Sequence, residues 1–304
     1  MTQLIYNGVD ITNDIDIKSC HLNDNAGGGA DDAVIAFPDS DRIWGRWNPV
    51  RGDTVRINTE DYSTGLMYVD SFTQGAGTFT LQAISTPLSA KKPKNRIWRN
   101  VRLMEIAADI AKNSNLTLQA YGVIDYTYKA ISQANNADIA FLNALCVREG
   151  YCCKVYDSKL IMFGEQYMES KPAVPTITPD DVYPGHDFSV ADELLESFTV
   201  LYCPPGGSLI SYTAMSGSAG SSGRKIELLS TIAEAERWAK GYLRSVNKNR
   251  ITGWLQMKYI TTVAAASVVN LSGFGVMDGK YYISKVSQDT VRNKSYLSVR
   301  RIEI

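Results

Sequence analysis

Apolar residues recur along this chain in two rhythms, and the clearest switch between them lies near its end. From Ile232, the residues Ala235, Trp238, Ala239, Tyr242 and Val246 follow at three- and four-residue steps, with Glu234, Glu236, Arg237, Lys240 and Arg244 opposite. That spacing predicts an amphipathic helix over 231–246. Thr231 and Glu234 stand at capping-box spacing, the hydroxyl toward the amide of the third helical residue and the carboxylate back toward the cap amide. Trp238, in the middle of the stripe, is expected to anchor this helix against the second barrel-like domain. Asn247 and Asn249 tolerate a left-handed stop. Then Ile251, Gly253, Leu255, Met257 and Tyr259 alternate with Arg250, Thr252, Trp254, Gln256 and Lys258, the period of a strand with one buried face. Asp278-Gly279 introduces a further strand over 280–286, and Lys294 introduces the closing one over 295–304. These strands belong to a small barrel.

The period of two also governs the beginning, with strands over 15–22, 33–37, 53–57, 65–72 and 78–85. Residues 23–29 with their triple glycine, Pro49 ahead of Arg51-Gly52-Asp53, and Gln74-Gly75-Ala76-Gly77 supply the breaks, the last joining a hairpin. Gly27-Gly28-Gly29 is a flexible turn rather than a phosphate cradle, since Ala30-Asp31-Asp32 follow where a P-loop needs a lysine and a hydroxyl. Helical spacing returns over 101–113 and 136–148, the second stopped by Gly150, before two strands that turn at Asp157-Ser158-Lys159. The basic stretch between barrel and helices, Lys91, Lys92, Lys94, Arg96, Arg99 and Arg102 around Trp98, is expected to be a solvated linker. Pro172, Pro175, Pro179 and Pro184 mark a second linker or an edge region over 171–185. A turn over 191–195, strands over 196–203 and 211–215, and a glycine-serine-alanine loop over 216–223 lead back to the helix. The pattern therefore predicts a mainly β chain with an α/β insertion: a β-barrel-like domain over 1–90, a compact α/β unit over 91–170, and a second barrel-like domain over 171–304 that carries the helix.

Gly206, Gly207, Leu209, Ile210, Tyr212 and Arg224 are the candidate interface residues. Their segment, 206–224, offers little apolar area against a backbone ordering cost of about 1–2 kcal/mol per residue. It is expected to be mobile alone and to become ordered against a partner.

Composition narrows the chemistry. With 31 Lys and Arg against 32 Asp and Glu, a net charge of -1 and 21% charged residues, no basic face supports the nucleic-acid reading that the stretch around Trp98 invites. No apolar run approaches the roughly 18 residues that span a bilayer, and Met1-Thr2-Gln3 opens into strand-like sequence without a leader, so the expected place is the cytoplasm. Cys20, Cys146, Cys152, Cys153 and Cys203 are odd in number and scattered, which fits reduced thiols. Cys152 and Cys153 face opposite sides of one strand, so one is expected to be buried. His21 and His186 have no metal-ligand spacing. His186-Asp187 with a serine could nominally form a triad, and Asp10, Asp14, Asp16, Asp180 and Asp181 a carboxylate couple, but none stands in a nucleophile elbow or other diagnostic context. No catalytic residue, cofactor or metal is expected. Seventeen tyrosines and five tryptophans keep a glycan- or cell-wall-binding module open as an alternative, against the ordinary reading of aromatics as core and cross-strand pairs.

Three stretches, in this order, resemble the late control protein D family, the baseplate hub proteins of contractile phage tails and phage-tail-like bacteriocins. They are Arg96-Ile97-Trp98-Arg99-Asn100 leading into Leu103, Glu105, Ile106, Ile110 and Ala111; then Gln133, Asp138, Phe141, Leu142, Leu145 and Glu149-Gly150; then Glu234-Ala235 to Leu243 with Gly279-Lys280-Tyr281, Ile283 and Val286. The resemblance implies two similar barrels around an α/β unit and a homotrimer whose six barrels form a ring between the hexameric tail tube and the trimeric central spike. Wedge or tape-measure proteins are further implied partners, and assembly would occur in the bacterial host cytoplasm before incorporation in the baseplate. Gln288 stands where relatives often place a histidine. With Ile304 closing the last strand, spike and hydrolase are expected on separate chains.

Overall fold

The alternating segments at both ends of the chain become strands of one sheet in a computed structural model, which describes residues 2–191 and 194–302. Its first part runs through Ser19–Asn25, Asp32–Pro38, Thr78–Ile84, Met67–Gly75, Thr54–Asn58 and Gln3–Tyr6, each antiparallel to the next. Every second residue turns inward, among them Leu22, Ile35, Phe37, Ile57, Val69 and Leu81. They close on Trp44, carried by the short helix α1 (Ile43–Trp47) and stacked on Phe79 at 5.0 Å. The last part runs through Asp187–Val190, Ile251–Lys258, Lys294–Arg301 and Gly279–Asp289 around Leu255, Ile283, Leu297 and Val299.

These two parts are not closed barrels. Ser19–Asn25 pairs antiparallel with Gly279–Asp289, from His21 opposite Asp289 to Asn25 opposite Lys285, and so makes one sheet of 13 strands. Each part has an edge strand whose backbone groups need partners, and joining the two edges satisfies both. The fold is mainly β with an α/β insertion.

Between the two parts lie α2 (Leu103–Asn113), α3 (Asp138–Glu149), α4 (Glu165–Glu169) and a three-stranded sheet of Thr117–Tyr121, Lys159–Gly164 and Tyr151–Tyr156. Asp157 and Ser158 turn between the last two with φ of 44° and 59°, the mirror-type turn that suits a hairpin. Gly150, at φ 75°, ends α3. The basic stretch expected to be a linker is instead a strand, Pro93–Arg102, paired with Thr127–Ala137 as a long ribbon. Two of its cations, Lys94 and Arg96, are used internally. Arg96 donates to Asp109 at 2.9 Å and Gln133 at 3.0 Å and pairs with Asp138; Lys94 meets the same buried carboxylate at 2.5 Å.

Helix α5 (Ile232–Asn247) starts where expected, with the Thr231 hydroxyl accepting the Glu234 amide at 3.1 Å. The Glu234 carboxylate, however, accepts the Ser230 amide at 2.8 Å, one residue ahead of the cap. The anchoring of Trp238 is shared: Ala235, Trp238, Ala239 and Leu243 form one core with Leu103, Phe141, Leu142 and Leu160 of the middle unit and, within the expected second barrel, with Val200, Ala214 and Leu229 rather than with the closing strands. A side chain at Gly241 would stand 2.1 Å from the Arg148 carbonyl, so glycine lets α5 touch the end of α3. Helical period identifies the face to be covered but not the element that covers it.

Of the two readings of the proline-rich stretch, linker or edge region, the structure has the edge. Thr176–Ile177 runs parallel to Val268–Leu271, and the Tyr183 amide donates to Gln256 at 2.7 Å. The turn expected over 191–195 includes Asp192 and Glu193, and the closing strand includes Glu303 and Ile304; these four lie outside the described residues. No described helix is long and apolar enough to cross a membrane.

Candidate functional site: an open sheet edge over a charged groove

In the segment expected to be mobile, the strand expected over 211–215 is present as Ile210–Met215, and a second strand, Ser221–Ile226, begins within the expected glycine-serine-alanine loop. Leu195–Tyr202 is flanked by Ile210–Met215, antiparallel, and Ser221–Ile226, parallel. Glycine and serine conceal this in the sequence, because the ordering is supported from below: Val200 and Ala214 are buried against α5, and Phe198 stacks on Tyr242 at 5.1 Å. Among the described residues neither outer strand has a further neighbour, so each presents backbone donors and acceptors along its free edge.

Five of the six candidate interface residues come together at one hairpin. Gly206, Gly207 and Leu209 are exposed at its tip, while Ile210 and Tyr212 lie half-buried on the edge strand. Arg224 is exposed on the opposite edge, in register with Thr199.

Beside Ile210–Met215 opens a groove of about 550 Å³, bounded by residues 212–216, the α5 face carrying Lys240 and Arg244, the α5 C-cap Lys248, and the strand end at Arg300 to Ile302. Behind it an ionic network ties α4 to α5 and to the closing strand. Glu169 accepts from Arg244 and Arg300, each at 2.6 Å, and Glu165 accepts from Lys248 at 2.5 Å. Arg300 is buried, with its guanidinium 4.3 Å from the centre of the Tyr282 ring. Burial by itself would raise the Glu165 carboxyl, but the Lys248 and Arg300 charges hold it below the usual range. This network was missed in the sequence, where Arg244 was assigned to a wet face. Its signal is two like-charge pairs of opposite sign at helical spacing, Glu165 with Glu169 and Arg244 with Lys248, which two adjoining helix faces can match.

A second buried ionic joint lies where the three regions meet. Lys154 of the middle unit pairs with Asp24 and, at 3.0 Å, with Asp31 from the first part, and Asp24 accepts the Ala265 amide at 2.8 Å. Burial pushes the Asp31 carboxyl up to about 6 against the pull of Lys154.

The nominal catalytic groups have other surroundings. His186 stands edge-on to Phe188 and Phe274, with centroids at 6.0 and 5.4 Å, and Asp187 lies in the strand opposite Trp254. Asp10 accepts from Gln3 and Thr12; Asp181 accepts the Thr178 amide, beside Asp180. Asp14 and Asp16 line a separate cavity of about 360 Å³ with Asp39 and Asp41. Cys153 is buried beside Asn143 and Cys152 is half-buried beside Glu165, where burial raises its thiol far above the ordinary range; all five cysteines are unpaired. Among the described residues no group of three or more His, Cys, Asp or Glu is arranged to hold a metal. Gln288 is buried, donating to the Ile260 carbonyl at 3.0 Å and accepting from Tyr259 at 3.3 Å. Trp44 and Trp238 are interior, Trp254 stacks on Tyr296, and Trp98 carries Arg96 on its face.

No protein-family model and no curated protein matches this sequence. Solved structures do. The 43 kDa tail protein of prophage MuSo2 from Shewanella oneidensis is 11% identical, with a TM-score of 0.77 over 99% of this chain and 98% of that one. The tail protein from Neisseria meningitidis MC58 is 10% identical, at 0.76 over 99% and 96%. A type VI secretion system component of E. coli, described as structurally similar to the T4 bacteriophage tail proteins gp27 and gp5, is 10% identical, at 0.63 over 99% and 77%. This chain therefore has the fold of these tail proteins from end to end.

Proposed function

We propose that this chain is a structural component of a phage tail or a tail-like injection particle, and within it the baseplate hub. Three copies form a ring that joins the hexameric tail tube to the trimeric central spike, with wedge or tape-measure proteins as neighbours. The observation that carries this reading is the extent of the structural likeness: 99% of this chain is matched to 98% of a prophage tail protein, leaving little of either outside the shared fold. The type VI likeness supports the same class, because that component is itself described as similar to tail proteins. The resemblance to hub proteins supplies a reason for threefold symmetry, since the two similar β units per chain that it implies would give six around a trimer, the multiplicity of a hexameric tube. Imaging of the assembled particle tests the reading: three copies on the axis are expected, and any other multiplicity there overturns the hub assignment. Light scattering of the purified chain gives the corresponding mass in solution.

A further inference from the structure

The groove beside Ile210–Met215 is lined by five successive residues, Tyr212 to Ser216. Side chains on one face of a strand alternate, so a consecutive run means that the cavity abuts the strand's edge rather than either face. That edge is unpaired among the described residues. The opposite wall is cationic: Lys240 and Arg244 come from one face of α5, Lys248 from its C-cap, and Arg300 and Arg301 from the end of the closing strand. Among the described residues their carboxylate partners are Glu236, Glu165 and Glu169, five cations against three anions, an excess of two positive charges within that set. Arg301 meets only a carbonyl, that of Val276 at 3.1 Å, among its described hydrogen bonds.

From this juxtaposition we infer that the groove binds an extended acidic segment of a partner protein, which adds a strand to Ile210–Met215 and directs its acidic side chains toward Lys240 and Arg301. Backbone pairing along the edge supplies affinity, and the side-chain pockets of alternate residues supply selection. An anionic segment is favoured over a neutral one because Arg301 is already held by the Val276 carbonyl and the neighbouring Arg244, Lys248 and Arg300 by Glu165 and Glu169, so this wall needs little reordering when the segment arrives. The groove is complete within one chain, and the inference is independent of the hub assignment.

The test uses the full chain and two labelled octapeptides, one alternating valine with glutamate and the other valine with lysine. Fluorescence anisotropy should show the glutamate peptide binding below about 1 mM and at least about tenfold more tightly than the lysine peptide. Hydrogen exchange should slow at residues 210–215 when it binds. Lys240→Glu with Arg301→Glu should weaken the glutamate peptide by about tenfold or more and narrow its advantage. Lys240→Gln with Arg301→Gln, which adds no new charge, should give a smaller loss in the same direction. Absence of binding below about 1 mM overturns the inference. So does equal binding of both peptides, or binding without protection at 210–215, which marks a polyanion adsorbed elsewhere. Protection of 210–215 that rises with protein concentration alone would make a second copy of the chain the occupant and would likewise overturn it.

Discussion

Trp44 and Trp238 are both buried, at 2% and 0% exposure, yet the chemistry around them differs. Trp44 sits among rings and aliphatic side chains of an antiparallel sheet, with Phe79 stacked on it and Phe37 4.5 Å away. Trp238 donates its indole N–H to Glu149 Oε1 at 2.7 Å, and the same buried carboxylate accepts from Tyr128 at 2.9 Å and Arg237 at 2.9 Å, while Arg148 lies over the ring. A paired sheet satisfies its own backbone and can leave its inner face apolar. Where helices, a ribbon and a small sheet meet, long polar side chains end inside the packing, and each needs a partner. Carboxylates at element ends, Asp138 and Glu149 at the two ends of α3, take that role.

The largest effects should come from deleting either ring. Trp44→Ala and Trp238→Ala should each cost about 3–5 kcal/mol, read by urea unfolding. Phenylalanine separates them. Trp238→Phe leaves Glu149 short of one donor and should add about 1.5–3 kcal/mol to the packing loss. If Trp238→Phe costs no more than Trp44→Phe, the hydrogen bond adds nothing and the contrast between the two cores is lost.

Charge removal at constant shape comes next. Asp138→Asn keeps the volume but leaves Lys94 and Arg96 facing a neutral amide, for an expected loss of about 1.5–3 kcal/mol. Glu149→Gln should behave similarly through Arg237. Thermal melts that do not move for either variant would mean that water reaches these pairs freely.

The apolar half was the legible one. Alternation located the strands of the first part, and Phe37, Leu81 and Leu22 turn inward as their period requires. The small stripe of α5 was equally readable, with its cap at Thr231. What the pattern could not supply was the partner of each face. Trp238 packs on the middle unit although the closing strands follow it in sequence, and the strand Ser221–Ile226 owes its order to Leu195–Tyr202 rather than to its own serines and glycines. Buried ions were harder still. Arg96, Arg244 and Lys154 read as wet in any window of sequence, because what makes them interior is a carboxylate 13 to 130 positions away. The interface residues split for the same reason: local chemistry grouped Arg224 with Tyr212, and strand pairing put them on opposite edges.

A smaller effect, and one with a sign, concerns Asp31. Its folded pKa is raised to about 6 from 3.8, so the folded state holds the proton more tightly. This stabilises the fold below about pH 4 and is lost as pH rises through 6. Lys154 compensates only in part, since one ammonium faces both Asp24 and Asp31. Asp31→Asn should therefore gain on the native chain as pH rises from 4 to 7, measured as the difference in unfolding midpoint. A difference that is flat over this window would show that Asp31 is charged throughout.

The smallest effect is expected at the rim of the apolar half, where charges are also paired but wet. Asp70 meets Arg51 at 2.8 Å and Lys91 at 2.8 Å, and hydrogen bonds from Lys91 and then Arg51 hold its carboxyl below the ordinary range. Its contribution is thus present above the unfolded pKa and is lost as pH falls. Both cationic side chains are largely exposed, at 59% and 41%, so water already solvates them and salt screens the attraction. Asp70→Asn should cost no more than about 1 kcal/mol, shrinking further in high salt. The geometry of this triad is as good as that of Asp138 with Lys94 and Arg96; the two differ in burial. A loss at Asp70 equal to that at Asp138, and insensitive to salt, would mean that pairing geometry rather than burial sets the worth of these charges, and the contrast between a wet rim and an ion-laced interior would fall with it.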